Sequence, residues 1–161
     1  MDESKFVELI HNQVETERAK RVSLSDQLTL GELIAKLEAI PIYWDKRDKD
    51  EKTVIFNFEY AIPICLDSWR GSYSELAINF DFLGYEHFSE VEPKEMKITD
   101  FIKMLKEAIG KEYTGWKGGN FVMGKTTPLW VANDGNAGNT AVIGVIDNGY
   151  EVILETGRRE Y

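Results

Sequence analysis

Two short segments gather the groups best suited to hold a ligand: Trp69-Arg70-Gly71-Ser72-Tyr73 and Trp116-Lys117-Gly118-Gly119. Each sets an aromatic ring beside a cation beside glycine. Rings offer flat faces for stacking. A guanidinium forks onto a phosphate or lies along a base, and glycine lets backbone N–H groups come close to a ligand. Lys117 with Gly118 and Gly119 can form a nest of backbone donors for an anion. Lys125, followed by Thr126 and Thr127, adds an ammonium and hydroxyl donors in a third polar loop. The combination suits a planar, anionic small molecule such as a nucleotide. The candidate ligand-binding residues are therefore Trp69, Arg70, Gly71, Ser72, Tyr73, Trp116, Lys117, Gly118, Gly119 and Lys125. Each also has a structural reading. Arg70 could pair with Asp67 or Glu75, the large rings could be core at the ends of strands, and Gly118-Gly119 could be a plain tight turn.

Catalytic and metal-binding patterns are missing. The two histidines, His11 and His87, have no Cys, His or carboxylate at metal-ligand spacing. No Gly-x-Ser-x-Gly, Walker loop or dinucleotide fingerprint occurs. Asp67 and Asp81 could meet across a hairpin, a pairing any acidic protein offers. Asn133 to Asn136 is rich in oxygens but lacks the spaced carboxylates of a calcium loop. No catalytic residue, metal ligand or cofactor is assigned, and a binding protein is expected rather than an enzyme. The single cysteine, Cys65, lies between Ile64 and Leu66 and reads as a buried, inert thiol, in keeping with a reducing cytoplasm.

The net charge of −9 opposes binding to nucleic-acid polymers and anionic membranes. It permits a small anion held by local cations, and Arg70 is one of four basic groups among residues 51–100. Glu86, Glu90, Glu92 and Glu95 form an acidic stretch that could instead mimic nucleic acid towards a basic enzyme. No apolar run approaches the length of a membrane span, and the charged start Met1-Asp2-Glu3-Ser4-Lys5 is unlike a signal peptide. A cytoplasmic protein is expected.

The elements that must position these segments follow from periodicity. Residues 4–21 read as a helix with a narrow stripe of Phe6, Ile10 and Val14, suited to docking on a partner subunit in a homo-oligomer or to lying at the periphery of its own domain. Thr29 to Glu32 fits a capping box ahead of Leu30, Leu33, Ile34 and Leu37, and Pro41 stops that helix. Asp45 to Lys52 is a solvated loop of mixed charge. Val54 to Tyr60 alternates as a strand, Ile62 to Leu66 is a shorter one held to an edge or to its own start by Pro63, and Leu76 to Phe82 is a third. The Trp69–Tyr73 segment thus sits at a hairpin-like turn. Thr99 is the expected cap of a helix running to Ile109, closed by Gly110. Phe121 to Met123, Leu129 to Ala132, a central strand over 140–146 and a return over 150–156 after the Asn148-Gly149 turn complete the pattern. The expected class is α+β: a single domain over 29–161 with a mainly antiparallel sheet and two or three helices, preceded by a helical extension over 1–28.

From about Leu30 to the C-terminus, roughly four-fifths of the chain, the pattern resembles a family of small uncharacterised proteins of tailed bacteriophages. The resemblance is carried by Thr29-Leu30-Gly31-Glu32-Leu33-Ile34, by Asp67 to Ala77 and by Tyr113 to Met123. It continues through Thr127 to Asn133 and Thr140 to Val145. Family members tend to carry Tyr at the positions of Trp69 and Trp116, so an aromatic is kept. The resemblance implies a phage origin and a soluble role in the infected cell, and it supplies no activity. Small phage accessory proteins without catalytic residues often counter host defence, in some cases by trapping the nucleotide second messengers that raise the alarm. The expectation is an anti-defence protein that sequesters a cyclic or ADP-ribose-like nucleotide without cleaving it. Alternatives are an acidic inhibitor of a host defence enzyme and a hydrolase of the same nucleotides.

Overall fold

The computed structural model describes residues 21–22, 26–44, 50–58, 61–68, 75–82, 95–114, 119–132 and 140–159. Residues 4–20 of the expected helix over 4–21 lie outside them, and Arg21 belongs to a short strand instead.

Helix α1 (Leu30–Glu38) forms as its capping box predicts. The Glu32 N–H donates to Thr29 Oγ1 at 3.3 Å, and the Thr29 N–H donates back to Glu32 Oε1 at 3.1 Å. Leu30, Leu33, Ile34 and Leu37, spaced three or four apart, are all buried. Helix α2 (Ile98–Ala108) buries Ile98, Phe101, Leu105 and Ala108 on the same principle. Its start corrects the expectation that Thr99 caps it. The N-cap is Lys97, whose side chain makes no capping bond. The cap comes from Glu51: its carboxylate accepts the Thr99 N–H at 2.7 Å and the Thr99 hydroxyl as well. A negative charge there also complements the positive end of the helix dipole.

Eight strands form the main sheet among the described residues. In chain order they are β1 (Arg21–Val22), β2 (Thr53–Phe56), β3 (Ala61–Ser68), β4 (Leu76–Phe82), β5 (Met96–Lys97), β8 (Leu129–Val131), β9 (Thr140–Asp147) and β10 (Glu151–Arg159). They lie in the order β3-β4-β8-β9-β10-β2-β5. Arg158 pairs with Thr140 of β9 and with Arg21 of β1, so β1 shares the flank of β10 that β2 occupies. Strands β6 (Glu112–Thr114) and β7 (Asn120–Val122) form a separate antiparallel hairpin. The body is α+β and rich in antiparallel pairs. The parallel pairs β4-β8, β10-β2 and β1-β10 make the sheet mixed. β4 and β8 are parallel because the chain between them runs through α2 and the β6–β7 hairpin before it returns.

The main core joins Leu33, Leu37, Phe101 and Leu105 of the helices to Val54, Phe56, Ile78, Val142 and Leu154 of the sheet. Phe56, Phe58, Phe80 and Phe82 extend it as a chain of rings, with Phe58 and Phe80 edge-on at 5.2 Å between centroids. Ala77, Trp130 and Ala141 form a smaller cluster on the opposite face. Strand β9 is therefore buried on both faces at Thr140, Ala141 and Val142, which explains its continuous apolar run.

Two boundaries differ from the sequence reading. The Leu28 N–H donates to the Val142 carbonyl and its own carbonyl accepts from Leu129, while Gln27 Nε2 donates to the Leu129 carbonyl. Gln27 and Leu28, assigned to the extension, are thus built into the folded body. Lys52, assigned to a solvated loop, is 3% exposed. Its ammonium is paired with Asp147 Oδ2 at 3.0 Å, which is what makes its burial tolerable.

Candidate ligand-binding site

The two aromatic-cation-glycine segments belong to two hairpins. Ser68 pairs with Leu76 and closes the β3–β4 hairpin. Thr114 pairs with Asn120 and closes the β6–β7 hairpin, where Thr114 Oγ1 donates to Asn120 Oδ1 at 3.0 Å. Of the candidate residues, Trp69, Arg70, Gly71, Ser72, Tyr73, Trp116, Lys117 and Gly118 lie outside the described residues; Gly119 and Lys125 lie within them.

The approaches to the two bends are brought together. Past the C-cap of helix α2 at Ile109, Gly110 has a φ of +79° that turns the chain in a way a side chain would resist. The Gly110 N–H then donates to the Met123 carbonyl at 2.7 Å, and the Met123 N–H donates to the Lys111 carbonyl at 3.0 Å. These bonds close the base of the β6–β7 hairpin, and β6 packs against the edge strand β3. Between β3, the C-terminal half of α2 and the start of β6 is a cavity of about 170 Å³ lined by Cys65, Leu66, Met104, Glu107, Ala108, Lys111 and Tyr113. The Tyr113 phenol is raised above its ordinary value of 10.0, first by burial and then electrostatically by Asp67 and Cys65. It stays protonated at neutral pH and keeps an O–H to donate. Lys111 Nζ stands 5.1 Å from the centroid of the Tyr113 ring. Asp67 lies two residues ahead of the first bend and Tyr113 two residues ahead of the second, each about 7 Å of extended chain.

Two expectations are corrected here. Cys65 is exposed, not buried. The β3–β4 register shifts between Pro63 and Cys65, so Ile64 and Cys65 both face outward in succession, and Asn79 Nδ2 donates to the sulfur at 3.1 Å. Asp67 and Asp81 do not meet: Asp67 pairs with Ala77 and Asp81 with Ile62, about 16 Å apart along the strands. Lys125 lies beyond the open end of the β6–β7 hairpin, where its carbonyl accepts the Gly31 N–H at 2.8 Å. Its surroundings are a different depression, about 510 Å³, shared with Ile34, Glu38, Lys106 and Ile109 between the two helices. Gly119 is partly buried just ahead of β7.

Glu107, Lys111 and Tyr113 were not singled out from sequence. Lys111 and Tyr113 stand two apart just ahead of the second bend, the spacing that puts side chains on one face of a strand. That spacing was the available signal. A further depression of about 390 Å³ has an acidic lining of Asp50, Glu51, Glu95 and Glu151, with Lys97, Trp44 and Tyr150 also on its wall.

Comparison with protein-family models, with curated proteins and with solved structures returned no match to the chain. No helix among the described residues is long and apolar enough to cross a membrane.

Proposed function

We propose that this protein is a phage anti-defence factor that captures a nucleotide second messenger and holds it without cleaving it. The observation that carries the reading is the packing of β6 against β3, the strands whose ends at Thr114 and Ser68 lead into the two bends. In this reading Arg70 and Lys117, which follow those two strands in the chain, share the phosphates of a small anion, and Trp69, Tyr73 and Trp116 stack on its bases. The phage origin and the class of ligand come from the family resemblance of the motifs. Two subunits joined through residues 4–21 would enclose more of such a ligand.

The experiment is a thermal-shift and calorimetric panel of cyclic mononucleotides, cyclic dinucleotides and ADP-ribose. A trap must hold its ligand near nanomolar concentration, about 12 kcal/mol of binding free energy. At 100 times Kd the ligand adds about 2.7 kcal/mol to stability, readily seen as a rise in Tm. Arg70→Ala should remove the shift, and chromatography of the released ligand should show it chemically unchanged. Turnover would make the protein a hydrolase. A panel with no binder would favour the acidic inhibitor, for which the depression lined by Asp50, Glu95 and Glu151 is the observation. Salt-sensitive recovery of a basic host protein would then be expected.

A further inference from the structure

We infer that the cavity between β3, α2 and β6 is the base pocket of this site, taking a nucleobase that carries an exocyclic amino group. This rests on the nucleotide-binding reading above and adds where the base goes. The cavity holds about 170 Å³, several times the roughly 30 Å³ share of a water molecule and less than the roughly 300–1,000 Å³ typical of sites that take a drug-sized molecule whole. It is sized for one ring system. Its lining sorts the two ends of a nucleotide. Leu66, Met104 and Ala108 give apolar walls, and thioether sulfur packs well against an aromatic ring. Glu107 and Lys111 contribute one negative and one positive charge, so the pocket has no net attraction for a phosphate. Asp67, next to it, repels one. The phosphates are left to the cations of the nucleotide-binding reading above. Within the pocket the Glu107 carboxylate can accept from an exocyclic amino group, and Lys111 and the protonated Tyr113 hydroxyl can donate to ring nitrogens or a carbonyl.

Cys65 lines this pocket, is exposed and is the only cysteine in the chain, so it reports occupancy directly. The full-length protein is treated with N-ethylmaleimide alone and with cyclic AMP, cyclic IMP, cyclic di-AMP, cyclic di-GMP or ADP-ribose. Affinities are measured in parallel by calorimetry. At least one amino-bearing nucleotide is expected to slow alkylation of Cys65 ten-fold or more and to bind at least ten-fold more tightly than its inosine counterpart. Two substitutions at exposed positions test the lining: Cys65→Phe, which fills the pocket, and Glu107→Lys, which removes the acceptor. Both should weaken binding ten-fold or more while the Tm without ligand changes little. If a nucleotide binds and is lost in Arg70→Ala, yet Cys65 alkylates at the free rate and both substitutions leave Kd unchanged, the base pocket is overturned and the nucleotide trap stands. If nothing in the panel binds, both fall.

Discussion

Lys52 and Asp147 are the most exacting pair of side chains in the body. The Lys52 side chain is 4% exposed and Asp147 29%, with 3.0 Å between their charged atoms. Burial alone would raise the Asp147 carboxyl, but the Gly149 N–H at 2.9 Å and the Lys52 ammonium outweigh it and hold the group below its ordinary value of 3.8. A group depressed in the folded state stabilises above its unfolded pKa and loses that contribution as pH falls through the folded one. The pair should therefore stabilise fully above about pH 5 and weaken below about pH 4, where Lys52 is left buried beside a neutral acid. Asp147→Asn should cost about 1–3 kcal/mol near neutral pH, less than the 3–5 of a fully enclosed pair because Asp147 is partly exposed. Urea titrations at pH 3 and pH 7 would show the difference between wild type and variant shrinking at the lower pH. None of this was visible in DKRDKDEK, where Lys52 is one charge among many; the residue that pairs with it is 95 positions away.

At the scale of elements, legibility divides by distance along the chain. The Thr29 capping box is closed by residues three apart and was readable as written. The start of α2 was misread because its cap, Glu51, stands 48 residues from Thr99 and no local pattern announces it. Glu51→Ala should lower stability by about 0.5–2 kcal/mol, the range for loss of an N-cap, and Glu51→Gln, which still accepts, should recover part of it. Thermal melts of the two variants would check this. Gly31 makes a similar point. Alanine is the better helix former by about 1 kcal/mol, yet a Cβ at Gly31 would sit 3.0 Å from both the Cβ and the carbonyl oxygen of Lys125. That oxygen is fixed by the Gly31 N–H, and the turn around it by the Gly124 N–H donating to Thr127 Oγ1 at 2.9 Å. Gly31→Ala should destabilise, against the helix scale, with a lowered urea midpoint as the measure.

Across the whole molecule, the longer strands were legible from their period of two; the short β1, β5 and β6 and the order of strands were not. Alternation records which face of a strand is buried and says nothing about which neighbour it meets. The bends stood out as motifs because their chemistry is local. The packing of β3 against β6, the strands that lead into them, is set by long-range contacts, which no spacing in the sequence encodes. Cys65 escaped for the same reason, since its exposure comes from a register shift between two strands. The order of strands also bears on how the protein is made. β10, the last of the described strands, lies between β9 and β2 and joins the group β3-β4-β8-β9 to the pair β2-β5. A nascent chain that has not yet released residues 151–159 from the ribosome carries two half-sheets with facing unpaired edges, each a template for mispairing. The sheet therefore cannot close until β10 is in place, and chaperones that shield open strand edges should associate with the chain until residues 151–159 have emerged.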